Sequence, residues 1–243
     1  MQNYAKAHSG GLIIEIDEHK WRGREERVSA AYYYAQSKYA KDAINTKTPQ
    51  AVVKVIGYRH GSKAVRGTIE YIARIDASEK GEELALETQD GELIKGKEAI
   101  AALVKEWKAG FEKSPVSTFI KGDNADQIKK ALKARHATHI LLSADCEPNA
   151  TNYAKLEKTA RDMLRREFDD KGYDYVFVVH KDTQHPHVHV VVKNKQRELG
   201  LDKRRKLRLN PNDLLHLRRQ FAFELERNGI EQIATRSVDT PGR

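Results

Sequence analysis

The sequence predicts an α+β fold, in which a central and mainly antiparallel β-sheet is flanked by helices. Residues 173–179 and 187–192 are valine-rich runs separated by a short connection, as expected for two strands of a β-hairpin. Several longer segments repeat apolar residues at the spacing of an amphipathic helix. Apart from a short helix over residues 128–134, the resulting order is strand, helix, helix, strand, helix, strand, strand, helix, which is typical of the α+β class.

The first predicted helix has the clearest apolar stripe. A β-branched strand over residues 51–56 precedes it, and the helix is predicted over residues 63–75 with Ser62 as its cap. Tyr71 lies one residue, or about 100° of arc, away from the stripe, so we expect it at the margin of the buried face. The stripe consists of Val65, Ile69 and Ile72.

The remaining elements follow from the same two periodicities. Glycines among charged residues predict a loop over residues 76–97. A Pro-Asn-Asp start and a glycine after the end mark the last helix. The other predictions are a strand over residues 139–143 and helices over residues 98–113, 128–134, 152–168 and 212–228.

A break at residues 46–49 suggests a domain boundary. We expect residues 1–50 to be an N-terminal extension, formed by a short strand and a helix or arm. Residues 51–236 are expected to form the main domain, and residues 237–243 a C-terminal tail.

Composition excludes several classes of protein. The chain has 243 residues and a net charge of +9, with a single cysteine. One cysteine excludes an intrachain disulfide framework and fits a reducing compartment. Neither a signal peptide nor an apolar run long enough for a bilayer is present, so membrane insertion is not expected. The positive charge favours a polyanionic partner.

Four of the ten histidines fall within ten residues, around the connection of the predicted hairpin. His187 and His189 are two residues apart on a strand, so they project from the same face, and His180 closes the preceding strand. Three converging imidazoles make a site for a divalent metal ion. Asp182 is placed to accept the second ring N–H of one ligand, whereas His185 lies on the turn. The residue types do not distinguish Zn²⁺ from Mn²⁺ or Mg²⁺.

The string His-x-Asp-x-x-His-Pro-His-x-His over residues 180–189 resembles the signature of HUH endonucleases of the plasmid relaxase class. It is most similar to that of the mobilisation (MOBP-like) nucleases related to the T-DNA border-nicking enzymes. The resemblance extends to residues 138–143 and 53–74, and overall it covers residues 51–236. Some relatives have an asparagine four residues after the last histidine, where this chain has Lys193.

The resemblance implies that Tyr71 is the nucleophile, that His180, His187 and His189 bind Mn²⁺ or Mg²⁺, with Zn²⁺ as an alternative, and that Asp182 supports them. The implied reaction is a cut in single-stranded DNA at an origin of transfer, leaving a 5′-phosphotyrosine. Implied partners are accessory origin-binding proteins and the coupling protein of a type IV secretion system. The implied location is the bacterial cytoplasm, with export alongside the transferred strand.

Two features leave alternatives open. The tyrosine run at residues 32–34 competes with Tyr71 for the role of nucleophile, and otherwise forms an aromatic packing or base-stacking face. Relaxases of this class commonly carry a further C-terminal domain, so we expect either a truncated or a minimal enzyme.

A basic region follows the histidine motif. Residues 193–208 contain eight basic residues against two acidic ones, a net charge of +6. We expect this segment at the mouth of the metal site, where it would bind a phosphate backbone, rather than as a merely solvated loop. The predicted DNA-binding residues are Arg59, Lys193, Lys195, Arg197, Lys203, Arg204, Arg205, Lys206 and Arg208.

Three other functions compete with a relaxase. A rolling-circle replication initiator would use the same chemistry, and a silent DNA-binding module would keep only the fold. A zinc hydrolase would use the histidines with water and would not need Tyr71. The position of the tyrosine helix before the histidine motif favours the relaxase.

Overall fold

A six-stranded antiparallel sheet forms the centre of the protein. The computed structural model describes residues 8–9, 12–13, 49–75, 82–109, 111, 134–181, 185–197 and 206–234. The sheet has the order β3-β6-β8-β7-β4-β5, and a separate pair is formed by β1 and β2. The strands are β1 (His8–Ser9), β2 (Leu12–Ile13), β3 (Val52–Arg59), β4 (Leu86–Thr88), β5 (Leu93–Ile94), β6 (Ala137–Ser143), β7 (Tyr175–His180) and β8 (His187–Lys193).

Helices cover both faces of this sheet. Helices α1 and α2 share one apolar core with Val176, Val178 and Val191 of the central strands. Helices α3 and α4 share the other core with Phe177 and Val190. Strands buried on both faces are nearly continuous apolar runs, which is why β7 and the second half of β8 lack the usual polar alternation. At the start of β8, His187 and His189 alternate with valines. The helices are α1 (Ser62–Ile72), α2 (Lys97–Ala109), α3 (Ala150–Leu164) and α4 (Pro211–Arg227).

Most of the predicted elements are confirmed within one to four residues at their ends. The predicted hairpin is β7 paired antiparallel with β8, and the stripe of α1 is fully buried. A five-residue π-helix, Arg165–Asp169, continues α3. The predicted helix over residues 128–134 lies outside the described residues, as do the helix or arm before residue 49 and the C-terminal tail.

The loop predicted over residues 76–97 is partly wrong, because β4 and β5 form there. Each of these strands is only two or three residues long, and β4 exists because it pairs with β7. Strands this short have no readable alternation, so only the neighbouring strand specifies them.

The predicted Ser62 cap is also wrong, because Gly61 is the N-cap of α1 and Ser62 is the first helical residue. The backbone of Gly61 has a φ of 83°, a region that suits glycine. Its N–H donates to Nδ1 of His136 at 2.7 Å. A histidine distant in sequence therefore accepts from the N–H of the N-cap residue itself, and among the described residues no side chain caps the first turn of α1.

None of the helices in the described part of the chain combines the length and the apolar character that a membrane crossing requires.

Candidate metal centre and nucleophile

Three histidines converge where β7 ends and β8 begins. His180 and His187 are direct partners in the β7–β8 register, and His189 lies opposite Val178, the residue two before His180. Side chains two residues apart share a face, so all three imidazoles lie on the α1 side of the sheet. The ring centroids are 5.1, 4.6 and 5.0 Å apart. One ring nitrogen from each residue lies within 4.8 Å of the others, which fits three ligands of one metal ion.

Backbone carbonyls orient two of the three rings. Nε2 of His180 donates to the carbonyl oxygen of Ile72 at 2.9 Å, and Nδ1 of His187 donates to that of His185 at 3.0 Å. A carbonyl oxygen only accepts, so in a neutral ring these bonds leave the lone pair on the other nitrogen. The lone pair of His180 is therefore on Nδ1 and that of His187 is on Nε2, and each is available to a metal ion.

A fourth histidine, His139 of β6, contacts the third ring. Nε2 of His139 lies 2.9 Å from Nδ1 of His189, and its own Nδ1 lies 3.5 Å from Nη2 of Arg59. From the sequence, His139 is only part of the strand that resembles the relaxases, and the sequence assigns it no role. The alternation of side chains along β6 could have identified His139, but only with the knowledge that β6 pairs with β8.

The electrostatics of the cluster keep its inner rings neutral. Burial and the charges of Arg59 and His180 lower the pKa of His139 to about 4. Burial and the neighbouring His180, His139 and His187 lower the pKa of His189 to about 3. Neutral imidazoles have the lone pair that a metal ion needs, so this cluster is suited to bind a cation near neutral pH.

Tyr71 lies beside the histidines. It is the residue before the last of α1, its side chain is 65% exposed, and its ring centroid is 6.4 Å from that of His189. Its exposed position follows from the stripe of α1, because Ile69 and Ile72 on either side are buried. The structure thus places the predicted nucleophile, on an exposed part of the surface, beside one of the three predicted ligands.

A groove of about 520 Å³ is lined by residues that neighbour His180 in sequence, among them Val179 and Lys181. Arg74, three residues after Tyr71, and Lys181, next to His180, contribute cations to its lining. Leu84 and Leu93 give it an apolar part, and Glu157, which pairs with Lys181 at 3.7 Å, is one of three acidic residues there. The groove therefore offers both charge and apolar surface next to the histidines.

Two of the predicted DNA-binding residues are engaged within the protein. Lys193 is buried, and its Nζ donates to Asp174 at 2.7 Å. Arg197 forms ion pairs with Asp174 at 3.3 Å and with Asp169 at 2.5 Å. These contacts give both cations a structural part, and their role in DNA binding stays a prediction.

Contrary to the expectation from the sequence, the basic region does not begin at the mouth of the histidine site. Lys193 is four residues beyond His189 on an extended strand, which is about 13 Å. Lys195 forms an isolated β-bridge with Lys206, which is exposed, as is Arg208. Arg59 donates through Nε to Thr68 of α1. Asp182, Lys203, Arg204, Arg205 and the tyrosine run at residues 32–34 lie outside the described residues.

The chain is similar to known nucleases of one family. The family model described as "Relaxase: MobA/VirD2-like, nuclease domain" matches residues 79–227, more than half of the chain, with Tyr71 just ahead of the match. Among solved structures, the metal-bound conjugative relaxase TrwC in complex with oriT DNA is similar at 10% identity and a TM-score of 0.42. The alignment covers 73% of this chain and 68% of that one. No curated protein matches the chain. On the family match, this chain belongs to the relaxases with a MobA/VirD2-like nuclease domain.

Proposed function

We propose that this protein nicks one strand of DNA at an origin of transfer by transesterification, with Tyr71 as the nucleophile. One observation carries the proposal: the exposed Tyr71 ring lies 6.4 Å from the ring of His189, which is one of the three clustered histidines. Membership of the relaxase family supplies the class of reaction.

In the proposed reaction the Tyr71 oxygen attacks the scissile phosphorus. A bond forms between this oxygen and phosphorus, and the bond from phosphorus to the 3′ oxygen breaks. The phenol proton is lost to water or a nearby base, and the leaving 3′ oxygen gains a proton. Because the phosphotyrosine keeps one phosphodiester in place of another, rejoining to a 3′ hydroxyl needs no external energy source.

His180, His187 and His189 would hold the divalent cation. When bound, Mn²⁺, Mg²⁺ or Zn²⁺ supplies positive charge to the phosphate oxygens, where negative charge accumulates during transfer. The donor set fits, since three neutral nitrogens leave positions for substrate oxygens.

The chain's own residues would position the substrate and the nucleophile. The bond from His180 to the carbonyl of Ile72 joins one ligand to the residue after Tyr71, which keeps the nucleophile at a defined distance from the centre. Arg74 and Lys181 in the adjoining groove would contact phosphates next to the scissile one. Single-stranded DNA is the expected substrate, because it can enter such a groove without a duplex partner.

The proposal extends to partners and location. We propose that accessory origin-binding proteins melt the site, and that a coupling protein of a type IV secretion system receives the protein–DNA adduct. Nicking would take place in the bacterial cytoplasm, and the protein would be exported with the strand that it carries.

The test is an adduct assay with Mn²⁺ and single-stranded oligonucleotides tiled across the origin of the element that encodes the protein. A 3′-labelled oligonucleotide should become covalently attached and migrate with the protein on a denaturing gel. A 5′-labelled one should instead yield a shorter free product ending in a 3′ hydroxyl. This difference between labels is the signature of a 5′-phosphotyrosine.

Variants then identify the nucleophile. Tyr71→Phe should abolish the adduct and keep oligonucleotide binding, whereas the matched Tyr33→Phe should keep both. Loss of the adduct in Tyr33→Phe alone would move the role to the N-terminal tyrosines. Cleavage that continues in both variants would indicate a hydrolase that uses water, and binding without cleavage in wild type would indicate a silent module.

A further inference from the structure

His139 lies in the middle of a chain of contacts between α1 and the histidine cluster. It is buried, with 2% of its surface exposed, and its Nε2 contacts Nδ1 of His189 at 2.9 Å. On its other side, Nδ1 lies 3.5 Å from Arg59, and Arg59 donates through Nε to Thr68. Thr68 is three residues before Tyr71, so this chain of contacts connects His189 to the helix of the nucleophile.

We propose that His139 is a positioning residue for the metal centre, which holds the His189 ring through Nδ1 and reverses its own tautomer when metal binds. The inference rests on the proposed function only in assuming that the three histidines bind a metal ion. No role of Tyr71 or of DNA enters it.

The contacts define the tautomers of the metal-free pair. A guanidinium only donates, so the contact from Arg59 places the lone pair of neutral His139 on Nδ1 and its proton on Nε2. The Nε2–H of His139 then donates to Nδ1 of His189. Neutral His189 consequently has its proton on Nε2, the nitrogen that the contact with His139 leaves for a metal ion.

Metal binding through Nε2 requires the opposite arrangement. His189 must then have its proton on Nδ1 and donate to Nε2 of His139, whose own proton is then on Nδ1. The proton between the rings moves from His139 to His189, Nε2 of His189 loses a proton to water, and Nδ1 of His139 gains one from water. The pair holds two protons in both states, so no net proton is released.

The other two ligands are held by a different kind of contact. The carbonyl oxygens of Ile72 and His185, which lie against His180 and His187, accept in both states. His189 is the ligand whose partner can both donate and accept, and the Arg59 contact favours the tautomer that metal binding has to reverse. His139 therefore contributes to metal affinity without touching the ion.

The first experiment uses the wild-type full-length chain and Zn²⁺, which is diamagnetic. Two-bond ¹H–¹⁵N correlation spectra distinguish the two neutral tautomers of each histidine. We expect the His139 proton on Nε2 without metal and on Nδ1 with Zn²⁺ bound. An unchanged His139 tautomer on Zn²⁺ binding would overturn the proposal, and this measurement needs no variant that must fold.

The second experiment measures the Zn²⁺ dissociation constant of variants by competition with a chelating dye. His139→Leu should weaken binding about 10- to 100-fold, the usual cost of losing a hydrogen-bond partner of a ligand. His139→Gln should restore most of the affinity, because its amide oxygen is as many bonds from Cβ as Nε2 is and can accept from His189. His216→Gln, on the opposite face of the sheet, is the matched control and should bind as wild type does.

The outcomes separate this inference from the proposed function. If wild type binds no Zn²⁺, the metal centre itself is wrong. If wild type binds Zn²⁺ and a folded His139→Leu binds equally well, only the role of His139 is wrong. Weak binding by both His139→Leu and His139→Gln would also contradict it, because it would show that the imidazole matters for packing rather than as an acceptor.

Discussion

Two histidine-containing clusters lie on opposite faces of the same sheet, and they handle charge in opposite ways. On the face covered by α3 and α4, the buried carboxylate of Glu167 lies 3.0 Å from His216 and 2.7 Å from Lys171. On the other face, His180, His187 and His189 meet one another. The first cluster combines opposite charges within the protein, whereas the second gathers groups whose protonated forms repel. A cluster of the second kind is best satisfied by a cation from outside.

Removing one histidine ligand should have the largest effect of the changes considered, on metal affinity. A small effect would contradict the contrast between the two clusters. We expect His187→Ala to reduce Mn²⁺ or Zn²⁺ affinity by more than the about 10- to 100-fold typical of an outer partner, because it removes a direct ligand. Metal at about 100 times its dissociation constant should stabilise wild type by about 2.7 kcal/mol and leave the variant unchanged. Thermal unfolding with and without metal measures this, and an equal metal-dependent shift in both proteins would exclude the site.

Removing the carboxylate of the Glu167 cluster should lower the free energy of unfolding and leave metal binding unchanged. Glu167→Leu leaves Lys171 and His216 without their carboxylate. Because these two side chains are 37% and 32% exposed, the cost should be below the about 3–5 kcal/mol of a fully buried ion pair. The control is Glu157→Gln, whose pairs with Arg161 and Lys181 are solvent-exposed and contribute about 1 kcal/mol or less. Urea unfolding distinguishes the two, and a change in Zn²⁺ affinity in Glu167→Leu would show that the two faces are coupled.

The two clusters should lose stability in different pH windows. Burial raises the pKa of Glu167, but His216 and Lys171 more than offset this and hold it at about 2, against an ordinary value of 4.5. A lowered carboxyl pKa gives stability that is present above pH 4.5 and lost as the pH falls towards 2. This loss is on the order of 3 kcal/mol.

On acidification, protonation of the histidines lowers stability at a higher pH than protonation of Glu167 does. The pKa of His189 is lowered from 6.5 to about 3, so its protonation favours the unfolded chain as the pH falls below 6.5. Unfolding of the metal-free protein between pH 7 and 3 should therefore show a first decline that His189→Gln reduces, because His139, whose pKa is lowered to about 4, contributes to the same decline. A second decline, below pH 4.5, should remain in that variant. A single decline that His189→Gln does not alter would contradict the assignment.

The smallest expected effect concerns an exposed basic residue. Arg208→Gln, at an exposed position, should weaken binding of single-stranded DNA and reduce its salt slope by about 0.7 if the side chain contacts one phosphate. Lys193→Met should instead lower stability, because it leaves Asp174 buried without its main cation. Salt titrations together with urea unfolding test both, and an unchanged salt slope for Arg208→Gln would make that residue part of the solvated surface.

Much of the fold was predictable because its signals are local. The β-branched runs of β3 and β8 and the stripe of α1 are periodic over a full element, and the structure confirms them. The same periodicity placed His187 and His189 on one face and Tyr71 at the margin of its helix. Short elements such as β4 and β5 have no period to read, and they were missed.

Contacts between distant residues were not predictable. His139 reaches His189 across fifty positions of sequence, and Lys193 meets Asp174 through the pairing of neighbouring strands. The charge pattern assigns Lys193 and Arg197 to a basic DNA-binding region, whereas in the structure Lys193 is buried against Asp174 and the half-buried Arg197 pairs with Asp169 and Asp174.

The order of residues by itself determined which side chains share a strand face or a helix stripe, because backbone geometry repeats every two or 3.6 residues. It thereby determined the composition of the histidine cluster. Only the tertiary structure decided that β6 lies against β8 and that α1 ends beside His180, because strand order and helix docking depend on burial of the whole apolar surface. Those two decisions bring His139 and Tyr71 to the three histidines.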